Sequence, residues 1–139
     1  MKILNLACGT KTSKDRSVVN IDWSIMLRIR TNTILRAFAP LLLRGDRLQR
    51  FLSLPDNIML HDLSRGIPFP DAGADAVYHS HVLEHFDRSE APKFIQECAR
   101  VLRPGGVIRV VVPDFERHCR NYMNHVSACE KGGGRLQYM

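Results

Sequence analysis

Two stretches decide the fold of this 139-residue chain: His61–Phe86, which reads HDLSRGIPFPDAGADAVYHSHVLEHF, and Glu97–Asp114, which reads ECARVLRPGGVIRVVVPD. Ahead of and through the second, Phe94, Ile95, Cys98, Val101 and Leu102 recur at helical spacing, an apolar stripe that can lie on a sheet. The turn Arg103-Pro104-Gly105-Gly106 ends that helix, and Val107–Val112 follows, apolar apart from Arg109. A run with so little alternation suits a parallel strand covered on both faces. In the first stretch, the stiff loop Gly66–Asp71 leads into a strand over Ala74–Tyr78, with His79-Ser80-His81 at its end. Working outward, Ile3–Leu6 is a strand running into Ala7-Cys8-Gly9. Val18–Ile21 is a second, stopped by Asp22, and Asn57–His61 a third, ending at Asp62. Short strands that each end in a turn or an acidic residue, separated by helical stretches, predict an open, doubly wound, mostly parallel α/β sheet. Its ligand crevice runs along the strand ends.

The connections are less regular. Residues 25–52 predict two short helices broken at Pro40 and at Arg44-Gly45-Asp46, because an interior proline costs about 3 kcal/mol. Asp87 to Glu90 offers a helix cap, with Pro92 in the opening turn where a missing N–H does little harm. Residues 1–114 form the core by this reading. Residues 115–139 are a partial helix and a polar tail containing Gly132-Gly133-Gly134.

Apolar content of 45% and charged content of 24% fit a soluble domain, and no segment approaches the roughly 20 apolar residues of a membrane span. The start, MKILNLACG, is too short an apolar run for a signal peptide. The net charge of +6 is uneven: residues 25–50 hold Arg28, Arg30, Arg36, Arg44, Arg47 and Arg50 against the single Asp46. A solvated arginine face over a helix packed on the sheet is the preferred reading of that segment. A peripheral helix touching anionic lipid or a lipid-linked substrate is the alternative. Nucleic acid is disfavoured, since no aromatic stacking platform accompanies the charge. Four cysteines without a CxxC pair read as free thiols of a reducing, cytoplasmic setting.

Small residues at Ala7-Cys8-Gly9 let a ligand approach the backbone closely, although an ordinary turn explains them equally. Asp22 can accept two ribose hydroxyl hydrogens and Asp62 an adenine amino hydrogen, with helix capping the competing explanation for each. His81 and His85 are four apart, but the order His-Val-Leu-Glu-His is not the His-Glu-x-x-His of zinc proteases, so no metal is expected. Either histidine can line a substrate pocket as proton acceptor, or simply pack or cap.

With these residues in place the chain resembles the class I S-adenosylmethionine-dependent methyltransferases, of the type 11 group. ILNLACG is similar to the family's first motif and VVNID to its ribose-binding strand end, while the two long stretches quoted above carry the specific likeness. The resemblance implies S-adenosylmethionine as cofactor, with Ala7, Cys8 and Gly9 holding its methionine part. It assigns Asp22 to the ribose, Trp23 beside the adenine, and Asp62 and Leu63 to the adenine ring. His79, Ser80 and His81 would line the pocket near the sulfonium. Family members often carry glycine at the position of Ala7 and an acidic residue at that of Asn5. Their sheet has seven strands, the last two an antiparallel hairpin beside the fifth. Nothing after Asp114 reads as two strands, so a sheet C-terminally truncated at about five strands is expected: either the chain is a fragment, or another subunit covers the apolar fifth-strand edge, which invites a homodimer.

The implied chemistry is methyl transfer to a small molecule or to a lipid- or glycan-linked substrate, with His81 or His85 as base. A non-catalytic cofactor-binding or interaction module of the same fold is the alternative. An NAD-type dehydrogenase is disfavoured by the absent GxGxxG.

Overall fold

The computed structural model describes residues 1–132, so Gly133 and Gly134 of the expected tail lie outside the described residues. Five strands, β1 (Ile3–Leu6), β2 (Val18–Asp22), β3 (Ile58–Leu60), β4 (Ala74–Ser80) and β5 (Leu102–Val111), form one sheet in the order β3-β2-β1-β4-β5. Every pairing is parallel. The chain builds leftward from β1 to β3, then crosses back to place β4 on the other side of β1. The strand order therefore reverses between β1 and β4, the position where open α/β sheets leave a crevice at their carboxyl ends. Leu6 lies in register with both Ile21 and His79, so the carboxyl ends of β1, β2 and β4 stand side by side.

The core follows the apolar pattern of the strands. Leu4, Leu6, Ile21 and Val77 are fully buried, and Phe94, Cys98 and Val101 of α4 (Ala91–Val101) close over them. Each large side chain buried in this way contributes roughly 1.5–3 kcal/mol. Asp87 sets the approach to α4: its carboxylate accepts from the Ser89 hydroxyl and from the amides of Ser89 and Glu90.

Three helices fill residues 25–52, not two: α1 (Ile25–Thr31), α2 (Thr33–Leu42) and α3 (Asp46–Leu52). Pro40 does not break the chain, because it stands in the last turn of α2. The break is Asn32, which ends α1 and whose side-chain oxygen accepts from the Ile34 and Leu35 amides to start α2. Gly45 opens α3 at a positive φ, as the Arg44-Gly45-Asp46 signal predicts.

The Arg103–Gly106 turn belongs to β5 as a bulge, since Ala74 pairs with Leu102 and Ala76 with Val107. Beyond it, the expectation of a strand covered on both faces fails. Val107, Ile108, Val110 and Val112 are all exposed, because β5 is the sheet edge and α5 (Phe115–Gly132) does not pack back over it.

Candidate functional site

At the switch point two cavities open side by side. The first, about 310 Å3, is lined by Asn5, the Ala7-Cys8-Gly9 turn, Lys11, Tyr78, Ser80 and His81. The second, about 320 Å3, is lined by Asp22, Trp23, Asp62, Leu63, His81, His85 and Phe86. Ala7 and His81 border both, so the crevice is a two-lobed space spanning the ends of β1, β2 and β4. A wider depression of about 550 Å3 between Thr12–Lys14 and Ser53–Asn57 leads to the amino end of β3, away from the switch point.

Both shared residues are held in the left-handed region, Ala7 at φ 49° and His81 at φ 55°. A non-glycine residue there costs on the order of 1–3 kcal/mol and persists only where the surroundings fix it. The fixing bonds are visible. The Cys8 amide donates to the Ile21 carbonyl at 3.1 Å, and the His81 amide donates to the Val111 carbonyl at 2.9 Å. Both chain reversals are thereby anchored to neighbouring strands. Gly9, also left-handed, has open space where a Cβ would project.

Of the residues expected at the site, Ala7, Cys8, Gly9, Asp22, Trp23, Asp62, Leu63, Ser80, His81 and His85 line this crevice. His79 does not. Alternation along β4 turns Tyr78 and Ser80 to the cavity and His79 into the core, where it is fully buried edge-on against Phe94 at 5.1 Å. Among the described residues neither ring nitrogen finds a partner, and burial pushes the imidazole below its ordinary pKa, opposed by the Glu84 charge. His79 is a neutral core residue.

The acidic positions differ in availability. Asp62 caps the turn that follows β3, accepting through Oδ1 from the Ser64 hydroxyl at 2.7 Å and the Ser64 amide at 3.1 Å, with Arg65 3.6 Å from Oδ2. The Ser64 bonds, with the Arg65 charge, hold its carboxyl below the usual range. Asp22 makes no side-chain hydrogen bond or ion pair among the described residues. Cys8 stays a neutral thiol, pushed up to about 12 by burial and by the nearby Asp22 charge. His81 Nδ1 sits 3.2 Å from Glu84 Oε1, which orients the ring across the junction of the lobes. Among the described residues no group of three His, Cys, Asp or Glu side chains is placed to hold a metal ion.

Sequence reasoning missed the support of the first lobe. The connection 7–17 joins two parallel strands without a helix, short for a crossover that usually needs a dozen or more residues. Two asparagines in register hold it. Asn5 Nδ2 donates to the Lys11 carbonyl at 2.9 Å and to Asn20 Oδ1 at 3.0 Å. Asn20 in turn receives the Ser13 amide and donates to the Ser13 and Asn57 carbonyls. Both amides are buried, so these bonds form in a low-dielectric setting where a broken one is costly. The signal was present in two polar residues at core positions of apolar strands. A second support is the Glu97–Arg100 pair on α4, which grips the backbone of the Ile67–Asp71 loop behind the second lobe.

Comparison with known proteins agrees with the geometry. The methyltransferase domain family matches residues 41–110, half of the chain, covering β3, β4 and most of β5. A probable S-adenosylmethionine-dependent methyltransferase of Mycolicibacterium smegmatis is 47% identical over 49 residues, which is 34% of this chain and 18% of that protein. One of Mycobacterium tuberculosis is 42% identical over 48 residues, 34% of this chain and 17% of that one. The matched segments thus span less than a fifth of these relatives' length. The crystal structure of the PH0226 protein from Pyrococcus horikoshii superposes with a TM-score of 0.55 at 22% identity, over 88% of this chain and 54% of that one, a likeness of fold. On the family match and this five-stranded switch-point sheet, the chain belongs to the methyltransferase domain family of class I S-adenosylmethionine-dependent methyltransferases.

Proposed function

We propose that the chain binds S-adenosylmethionine across the two-lobed crevice and transfers its methyl group to a nucleophile beside His81. The observation that carries this reading is the junction of the lobes at Ala7 and His81, with the unengaged carboxylate of Asp22 in the second lobe.

The residues present fit such a cofactor. Around the Ala7–Gly9 turn the small side chains and the open space at Gly9 admit a carboxylate or sugar close to the backbone. Asn5 lines the same lobe, and its amide oxygen has no partner among the described residues, so it can accept from an ammonium. A neutral acceptor holds a cation less strongly than a carboxylate would. Asp22 can accept both ribose hydroxyl hydrogens, Trp23 and Leu63 offer apolar contact to the base, and Asp62 Oδ2 can accept from the adenine amino group. Bound there, the cofactor supplies an electrophilic methyl group on its sulfonium. Transfer then rests chiefly on holding the acceptor in line. With His81 Nδ1 engaged by Glu84, its Nε2 is left to take the acceptor's proton, and His85 lines the same lobe as a second base.

A small molecule or a lipid- or glycan-linked precursor is the acceptor in this reading, supported by the arginine-rich segment that starts next to Trp23. The exposed edge of β5 supports a homodimer, and the buried thiols of Cys8 and Cys98 support a cytoplasmic setting. A non-catalytic cofactor-binding module is the second reading, favoured by Asn5 where relatives often carry a carboxylate. Calorimetric titration of the purified chain with S-adenosylhomocysteine, with NAD as control, tests the reading. Saturable binding of the first alone is expected, and a folded sample that binds neither overturns it. Release of S-adenosylhomocysteine from S-adenosylmethionine in the presence of acceptor then separates enzyme from module.

A further inference from the structure

Within the basic segment α1 and α3 bury Leu27 and Phe51, as a packed helical segment should, but α2 leaves its apolar face uncovered. Ile34, Phe38 and Leu41 recur along one face of α2 and are 70%, 55% and 73% exposed, with Leu35 exposed beside them. α2 lies against α1 and, among its described side chains, buries only Ala39, on the side away from that stripe. An apolar face of this kind on a helix is an unpartnered surface.

The charges around it say what partner it fits. Residues 25–50 carry six arginines and one aspartate. Arg30 is committed to Asp56 and the Leu54 carbonyl, and Arg28 lies over the Trp23 ring at 4.8 Å. Arg36, Arg44, Arg47 and Arg50 are exposed and form no ion pair among the described residues. A short helix with an exposed apolar face, in a segment whose exposed arginines are unpaired, has the chemistry of an element lying in the interface of an anionic bilayer. Its apolar side chains enter the acyl boundary while long guanidinium arms reach phosphate headgroups. No described helix is long and apolar enough to cross a membrane, so the contact is peripheral.

We propose that α2, which carries Arg36 and is followed in the chain by Arg44, Arg47 and Arg50, docks the protein on an anionic lipid surface with Ile34, Phe38 and Leu41 inserted. This does not rest on cofactor binding, and its test needs no cofactor. The full chain is floated with phosphatidylcholine vesicles, with or without about one third phosphatidylglycerol. It should float with the anionic vesicles and stay in solution with the neutral ones, and added salt should release it. The double variant Phe38→Ser/Leu41→Ser changes exposed positions only and should lower partitioning about tenfold or more with unchanged thermal unfolding. Should that variant misfold, Arg44→Gln/Arg47→Gln decides, and should weaken flotation and flatten its salt dependence. Wild-type protein that stays in solution with anionic vesicles overturns the proposal. So does flotation indifferent to lipid charge and to both variants. A dimer in size-exclusion chromatography that Phe38→Ser/Leu41→Ser dissolves, without vesicle binding, overturns it in favour of a second copy on this face.

Discussion

Replacing Glu97 by alanine removes the carboxylate that ties α4 to the loop behind the second lobe. Glu97 accepts from Arg100 Nε at 2.7 Å, from Arg100 Nη2 at 2.8 Å and from the Ile67 amide at 2.9 Å. Ile67 is buried, so its amide loses its partner in a place where water enters poorly, at about 1–3 kcal/mol. The Arg100 pair is partly exposed and adds about 0.5–1 kcal/mol, since Arg100 keeps the Ile67 and Phe69 carbonyls and Asp71. The sum is about 1.5–4 kcal/mol. The ionisation of Glu97 gives an independent bound: the Arg100 and Ile67 bonds hold its carboxyl down at about 2, from an ordinary 4.5. That difference caps the carboxylate's worth at about 3 kcal/mol, and solvent screening near the surface brings it to about 1–2. Because the folded state lowers the pKa, this stability is fully present above pH 4.5 and is lost as pH falls toward 2. Urea unfolding of wild type and Glu97→Ala should therefore differ by about 2 kcal/mol at pH 7, with the gap narrowing between pH 4.5 and 3. A difference under about 0.5 kcal/mol at pH 7, or one that does not change with pH, refutes the clamp.

Three further substitutions probe other parts of the site. Asp22→Ala should weaken S-adenosylhomocysteine about 10- to 100-fold by calorimetry, through loss of charge-assisted bonds, while leaving thermal unfolding unchanged. His79→Leu should keep or raise stability at pH 7, by up to about 1 kcal/mol, since it removes two unpartnered buried nitrogens. Wild type keeps His79 neutral, so it should lose stability as pH falls below 6.5 and the unfolded chain takes up the proton, and His79→Leu should lose less over that range. Asn20→Ala should cost about 2–3 kcal/mol in urea unfolding and speed amide exchange at Ser13, because it frees the 7–17 connection from the sheet.

The residues that were legible in the sequence are those whose position follows from strand ends. Ala7, Asp22, Asp62 and His81 each close an apolar run, and parallel pairing in register brings those ends together whatever the helices do. His79 was misplaced although the period-2 alternation that turns Ser80 and Tyr78 to the cavity also turns His79 away. The pairings of Asn5 with Asn20, and of Glu97 and Arg100 with the Ile67–Asp71 loop, join positions 15 to 33 residues apart. No local pattern marks such partners. Pro40 drew the helix break toward itself, yet Asn32 makes it, because a side-chain cap supplies bonds whereas a proline in a last turn removes only one. The apolar runs of β5 and α2 show the limit of pattern reading most plainly. Hydrophobicity reports that a face wants cover, and not whether this part of the chain provides it.

Trp23 is the chain's single tryptophan and lines the second lobe beside Asp22, so its fluorescence reports where a ligand binds as well as whether it does. Titration with S-adenosylhomocysteine should change Trp23 emission saturably, with the midpoint that calorimetry gives. NAD should leave it unchanged, and Asp22→Ala should shift the curve to higher concentration. Calorimetric binding with silent Trp23 emission, or no binding by the folded chain, would contradict a cofactor site spanning Ala7, Asp22 and His81.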